Sequence, residues 1–282
     1  MEVEVSGRAD GPLMVFVHGW PDDPHVWTGQ TKHFRKTHRC ATVSLPGFGH
    51  KRLTDPAGYN FDQLARMLAQ TVEGLQRGES DRAVLVLHDW GCVIGFTAQD
   101  LYPELFAGVI AFDVGPPTLD MPRFRDAPAL FTIGMIYQYV LIWAYLLFRA
   151  SPHGVGERIG NWLSRSVARR LGAPNPEQAL AMSNYPYYYF HTNFLTELFG
   201  GAGRIARYGK KPSSPQTAPT LYIYGVQKSV MLHSARWVQT LKDSPDCHVI
   251  PVKCGHWIMC EVPAEEINRK MSNFIDLNIP SH

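Results

Sequence analysis

A chain of 282 residues, 45% apolar and 18% charged, is long enough to bury the core of one large domain and leaves room for an insertion. Lys and Arg number 27 against 25 Asp and Glu, so the net charge of +2 gives no electrostatic footprint for nucleic acid or a strongly acidic partner, and a small neutral substrate is the easier fit. Five cysteines without paired spacing, and an N-terminus MEVEVSGRADG lacking a basic-then-apolar leader pattern, point to reduced thiols in a cytoplasmic protein.

In chain order, residues 13–17 form the first clear strand and run into His18, Gly19, Trp20 and Pro21. His-Gly after a strand makes a tight turn, and the Trp20–Pro21 bond is a candidate for the cis form that proline tolerates. Residues 40–45 form a second strand, closing in Ser44, Leu45, Pro46, Gly47, Phe48, Gly49 and His50, whose proline and glycines make a compact turn with a scaffolding role. Between 61 and 75, Leu64, Met67, Leu68, Thr71, Val72 and Leu75 fall on one helical face.

The apolar, β-prone run 83–87 then breaks sharply into His88, Asp89, Trp90, Gly91 and Cys92 before a helical stretch over 93–101. A strand, a tight elbow and a helix thrust the elbow residue up from the end of a sheet. A serine there attacks carbonyls, whereas a carboxylate can displace a leaving group from saturated carbon and hold the product as an ester. A further strand at 108–112 ends at Asp113, and the alternation of strands with helices predicts a mostly parallel α/β sheet flanked by helices.

From about 118 to 212 the alternation stops and the chain turns helical and aromatic, broken by Pro and Gly. This reads as a helical cap inserted between sheet strands, dividing the chain into a core of 1–117 and 213–282 and a cap of 118–212. Its segment 130–148 is almost wholly apolar but contains Gly134, Gln138 and several tyrosines and is barely long enough to cross a bilayer. A buried cap helix is the favoured reading, and membrane attachment through this segment the lesser one. The Gly-, Lys-, Ser- and Pro-rich stretch 200–219 reads as a mobile connector. Strands at 219–224 and 247–252 come next, then a terminal helix from about 264 to 277.

Cys254, Gly255, His256 and Trp257 come directly after the last strand. Cys254, Cys260 and His256 lack a fourth ligand and the usual CxxC spacing, so no metal is assigned. His256 is one of 12 histidines, singled out because the carboxyl end of its strand lies in the same crevice as Asp89 in an open α/β sheet.

Together, His18 to Pro21, His88-Asp89-Trp90-Gly91 and Gly255-His256-Trp257 resemble the α/β-hydrolase superfamily, specifically its epoxide hydrolase and haloalkane dehalogenase branch, which shares an aspartate nucleophile followed by tryptophan. The resemblance covers the sheet domain, while the cap matches in general character. It implies the α/β-hydrolase fold, Asp89 as nucleophile, His256 as base, and an oxyanion hole from the backbone N–H groups of Trp20 and Trp90. The family often carries its relay acid after the strand that reads 221–224 here, yet this chain has Gly225, Val226, Gln227 and Lys228, with no Asp or Glu from 201 to 242. Asp113, 24 residues after the nucleophile, is the replacement, an arrangement similar to that of some haloalkane dehalogenases. A plain cap of the adjoining Gly-Pro-Pro turn is the competing role for Asp113.

The two families differ in how the leaving group is stabilised. The resemblance to epoxide hydrolases implies two cap tyrosines that protonate the opening oxygen: Tyr137, 48 residues after Asp89, and Tyr188, with Tyr187 and Tyr189 as close alternatives. For a halide, Trp20 stands where the family has an asparagine donor, leaving Trp143 or Trp162 as substitutes. His18, Trp20, Trp90, Tyr187, Tyr189 and Trp257 are the expected substrate-binding residues. No arginine occurs from 91 to 101, so an apolar or amphipathic epoxide suits the site better than a carboxylate. The expected reaction opens the epoxide to a vicinal diol through an ester on Asp89 and needs neither metal nor organic cofactor. Haloalkane dehalogenation is the alternative, as is a catalytically silent binding protein, for which Lys228 at the usual acid position is the main support.

Overall fold

Uninterrupted apolar runs suit strands covered on both faces, and the wholly buried β2 (Leu13–Val17), β4 (Ala83–His88) and β5 (Phe106–Phe112) occupy the middle of the sheet. The structure is a computed structural model that describes residues 1–49, 51–116, 128–198, 218–228 and 230–279, without the side chains of 128–135 and 197–198. Its seven strands lie in the order β1-β3-β2-β4-β5-β6-β7, with β3 at Arg39–Ser44, β6 at Thr220–Gly225 and β7 at His248–Val252. Every neighbouring pair is parallel except the first.

That first strand, β1 (Glu2–Gly7), is absent from the six read in the sequence. Its Glu-Val alternation would normally mark one buried face, yet all six residues are exposed, and only antiparallel pairing with β3, from Glu2 opposite Ser44 to Gly7 opposite Arg39, makes it a strand. Strand β2 has the bounds that the sequence predicts, and the other five differ from theirs by one or two residues. Helix α1 (Thr28–Phe34) lies between β2 and β3. Amphipathic α2 (Phe61–Glu73) buries Phe61, Leu64, Ala65, Leu68, Ala69 and Val72 and starts in a capping box between Asn60 and Gln63. Helix α3 (Trp90–Leu101) is buried over most of its length.

Between β5 and β6 lie α4 (Pro128–Ala150), α5 (Val155–Leu171) and α6 (Tyr185–Leu198). Helix α4 buries Leu141, Ala144, Tyr145 and Phe148 while exposing Ile136, Tyr139 and Trp143, a packed helix with two environments. Among the described residues no helix is long and apolar enough to cross a membrane. His50, the cap boundaries at 118 and 212, and nearly all of the connector at 200–219 lie outside the described residues.

Candidate active site

The parallel strands bring the loops after β2, β4, β5, β6 and β7 to one edge of the sheet, and the chemistry gathers there. Asp89 sits at the elbow between β4 and α3 with φ 51° and ψ −121°, a strained backbone for a residue with a side chain. The loop after β2 closes over it. Gly19 allows this approach: a Cβ there would stand 2.4 Å from the Asp89 Cβ, 2.5 Å from its Oδ1 and 2.7 Å from the Trp90 nitrogen. The Trp20 N–H donates to Asp89 Oδ1 at 2.8 Å, across the cis Trp20–Pro21 turn. One carboxylate oxygen is thus held in a backbone donor site, and Oδ2 is left to face His256.

His256 donates through Nδ1 to Asp113 Oδ2 at 2.5 Å, and its Nε2 stands 3.6 Å from Asp89 Oδ2. Burial works against the charged ring, but the hydrogen bonds and charges of Asp113 and Asp89 outweigh it and lift His256 to about 9. Asp113 ends β5 at φ 68° and is fully buried; its N–H donates to the Ile223 carbonyl at 2.8 Å. Its Oδ1 accepts from the Gly225 N–H at 2.9 Å and from the Lys228 ammonium at 2.5 Å. Burial would raise this carboxyl, yet His256 and Lys228 hold it near about 2. Lys228, read from the sequence as a missing acid, is instead the partner of the acid that stands on β5.

The tyrosines of α4 and α6 separate into two groups. The Tyr187 ring lies edge-on to Trp90 at 4.9 Å, to Trp20 at 5.8 Å and to Tyr137 at 6.1 Å between centroids. Burial first, and the Asp89 charge with it, raises Tyr137 to about 12 and Tyr187 well above its ordinary value, so both hydroxyls keep their protons at neutral pH. Tyr188, chosen from the sequence as the second tyrosine, stands elsewhere: it packs on Tyr145 at 5.6 Å and lies under the Arg149 guanidinium. The Tyr189 hydroxyl donates to the Ala57 carbonyl at 2.9 Å. On helix α6 adjacent residues point about 100° apart, so only one of Tyr187, Tyr188 and Tyr189 can face the elbow.

Other expected site residues have structural occupations. His18 is buried with both ring nitrogens engaged, Nδ1 with the Gly19 carbonyl at 3.0 Å and Nε2 with the Leu45 N–H at 3.1 Å, and burial holds it down at about 4. Neither ring nitrogen of His18 is left for a substrate. The Trp257 indole donates to Asp22 Oδ2 at 2.9 Å, and the Trp20 indole to Asn184 Oδ1 at 2.8 Å. Trp143 and Trp162, the replacement halide donors, are each 64% exposed, unlike the buried residues around the elbow. The Trp90 indole N–H is buried without a well-formed hydrogen bond, near enough to the Tyr187 hydroxyl to favour its ionised form slightly.

Several neighbours were not assigned from sequence. His88 donates through Nε2 to the His256 carbonyl at 3.1 Å, its ring 4.5 Å from that of His256, and burial holds it neutral at about 3. Its bare Nδ1 is 3.9 Å from Asp22, a carboxyl that burial raises to about 7. The signal for Asp22 was its place beside the Trp20–Pro21 turn. The Gln138 amide donates to the Tyr137 hydroxyl at 3.2 Å and accepts from His191 Nε2 at 2.7 Å, so the Tyr137 proton is free to be donated. Among the described residues no cluster of His, Cys, Asp or Glu is placed to hold a metal ion, and the five cysteines are free thiols.

A family model described as the alpha/beta hydrolase fold matches residues 12–263. "Epoxide hydrolase 1" of Caenorhabditis elegans is 31% identical over 116 residues, 40% of this chain and 27% of that protein. A haloalkane dehalogenase of Bradyrhizobium diazoefficiens is 30% identical over 126 residues, 45% of this chain and 38% of the relative. The matched stretches therefore span well under half the length of these curated relatives. An inhibitor complex of an epoxide hydrolase from Bacillus megaterium shares the fold with a TM-score of 0.70 at 22% identity, covering 98% of this chain and 96% of that one.

Proposed function

Because the chain belongs to the alpha/beta hydrolase fold family, we propose that it hydrolyses epoxides to vicinal diols through a covalent ester on Asp89. The observation that carries this reading is the pair of protonated tyrosines, Tyr137 and Tyr187, gathered with Trp20 and Trp90 around an aspartate at a nucleophile elbow. A halide needs N–H donors, and the Trp20 indole is already committed to Asn184.

In the resting site Asp89 is a carboxylate and His256 an imidazolium. Asp89 Oδ2 attacks one oxirane carbon, the carbon–oxygen bond breaks, and the opening oxygen takes a proton from Tyr137 or Tyr187. Esterification removes the Asp89 charge that helped lift His256, so the ring releases its proton and restores the tyrosine. Neutral His256, oriented by Asp113, then takes a proton from water as its oxygen attacks the Asp89 carbonyl carbon. The Trp20 and Trp90 N–H groups stabilise the oxyanion on Oδ1. Collapse of the adduct breaks the ester, the departing diol oxygen takes the proton of the new carboxyl group, and the ion pair is restored. Helices α4 to α6 act as the cap, the unit read at 118–212, and their aromatic residues suit an apolar or amphipathic epoxide.

The test is to replace His256 with Gln, incubate the variant with a panel of epoxides and haloalkanes, and weigh the intact protein. An adduct on Asp89 with the full mass of the epoxide is expected, formed more slowly in Tyr187→Phe by at least about tenfold and at an unchanged rate in Tyr188→Phe. An alkyl adduct with halide release would transfer the assignment to dehalogenation, which the loosely bonded Trp90 indole favours. Absence of any adduct would leave a silent binding protein.

A further inference from the structure

Asp113 has a partner on each side. Oδ2 meets His256 at 2.5 Å, and Oδ1 meets the Lys228 ammonium at 2.5 Å and the Gly225 N–H at 2.9 Å. The Lys228 side chain is 13% exposed and its ammonium also reaches the Asp113 carbonyl at 3.4 Å. Burial lowers the lysine's hold on its proton and the Asp113 charge works to restore it. The lysine's loop is bound to the strand end that carries the base: the Val226 N–H donates to the Val252 carbonyl and the Gln227 N–H to that of Cys254, both at 2.9 Å. Gly225 makes this crossing possible, since a Cβ there would stand 1.9 Å from the Gly255 carbonyl oxygen.

A buried lysine that only filled space would cost desolvation with nothing gained at the site. We infer that Lys228 is a positioning residue of the proposed hydrolase, clamping the Asp113 carboxylate in the rotamer that faces His256 and tempering how tightly His256 keeps its proton. A carboxylate shared between an ammonium and an imidazolium gives each less than it would give alone, and the ammonium itself repels charge on the ring. Without Lys228 the full Asp113 charge falls on His256, and the base becomes harder to free for attack on the ester.

The groups facing this trio are Asp89 and His88 from the elbow, Cys92 from α3, Tyr222 and His233 beside β6, Cys254 after β7, and Asp22 after β2. Burial holds the two thiols and the tyrosine protonated and the two histidines neutral around pH 7. Asp22, raised to about 7, is the neighbour that would confuse a titration, so the measurement is made both with Asp22 and with Asp22→Asn.

The inference rests on the proposed roles of Asp89 and His256, and its first readout needs no substrate. In Lys228→Met the imidazole NMR titration of His256 should move up by about one pH unit, while Lys228→Arg stays close to the parent. Lys228→Gln, which keeps a donor but no charge, should behave like Met and serves if Met does not fold. With a reactive epoxide, the pH profile for hydrolysis of the Asp89 ester should move up by the same one unit, so that on its acidic limb hydrolysis slows by about tenfold, with alkylation unchanged. A His256 midpoint that stays in place or falls in both neutral variants overturns the inference. Failure of the epoxide reading appears separately, as no adduct in His256→Gln.

Discussion

Replacing Asp113 with Asn keeps the size of the side chain and removes its charge, and the surrounding donors dictate how the amide sits. The Gly225 N–H and the Lys228 ammonium both donate to the Oδ1 position, so the amide oxygen must settle there. The amide NH2 then occupies the place of Oδ2, 2.5 Å from His256 Nδ1, where it can only donate. Nδ1 must give up its hydrogen and the proton moves to Nε2, the nitrogen that should accept from water. Lifting the ring from 6.5 to about 9 represents about 3 kcal/mol of preference for imidazolium, net of burial and shared by Asp113 and Asp89. Loss of the Asp113 share and the wrong tautomer together should slow ester hydrolysis by about 10³- to 10⁴-fold. Alkylation, which in the proposed mechanism draws only on Asp89 and the tyrosines, should proceed almost normally. Rapid-quench mass spectrometry with a reactive epoxide would then show the Asp89 ester accumulating in the variant after a single turnover. Hydrolysis at the parent rate would refute the relay assignment, and recovery of the rate at high pH would refute the tautomer argument, because a wrong tautomer is not corrected by removing protons from solution.

Gly19→Ala should suppress the proposed alkylation by about 100-fold, since contacts of 2.4–2.7 Å against a normal ~3.5–4.0 Å require Asp89 or the loop after β2 to move by about 1 Å; adduct formation measured in the His256→Gln background checks this. Asp22→Asn should raise Tm, more at pH 8 than at pH 5, because a carboxyl lifted from 3.8 to about 7 costs the folded state progressively as pH rises through that window; equal gains at both pH values would count against it. For the parent protein, His256 is raised, so its contribution is complete below about 6.5 and lost as pH rises through about 9, whereas Asp113 is lowered and its contribution is lost only as pH falls below 3.8 towards about 2. A thermal-melt series across pH should therefore show the His256 loss on the alkaline side, absent in His256→Gln.

Much of the molecule is local in origin. The buried strands announce themselves as apolar runs, α2 by its 3.6-residue period, and the elbow by a β-run broken at His88-Asp89-Trp90-Gly91 before a helix. The family match over residues 12–263 agrees with the fold read from those patterns. Strand β1 was not legible, because its stability comes from backbone pairing with β3 and not from a buried face of its own. Which of three consecutive tyrosines meets Trp20 and Trp90 was not legible either, since the rotation of α6 is set by packing against α4 and the loops beneath it. The amino-acid order by itself determined the set of chemical groups and the strand ends that carry them, since periodicity and turn chemistry act over a few residues. Only the tertiary structure decided partnership: Lys228 with Asp113 across 115 positions and Trp20 with Asn184 across 164. Those contacts arise from strand order and helix packing, and no local pattern encodes a distance between loops that meet only when the sheet is complete.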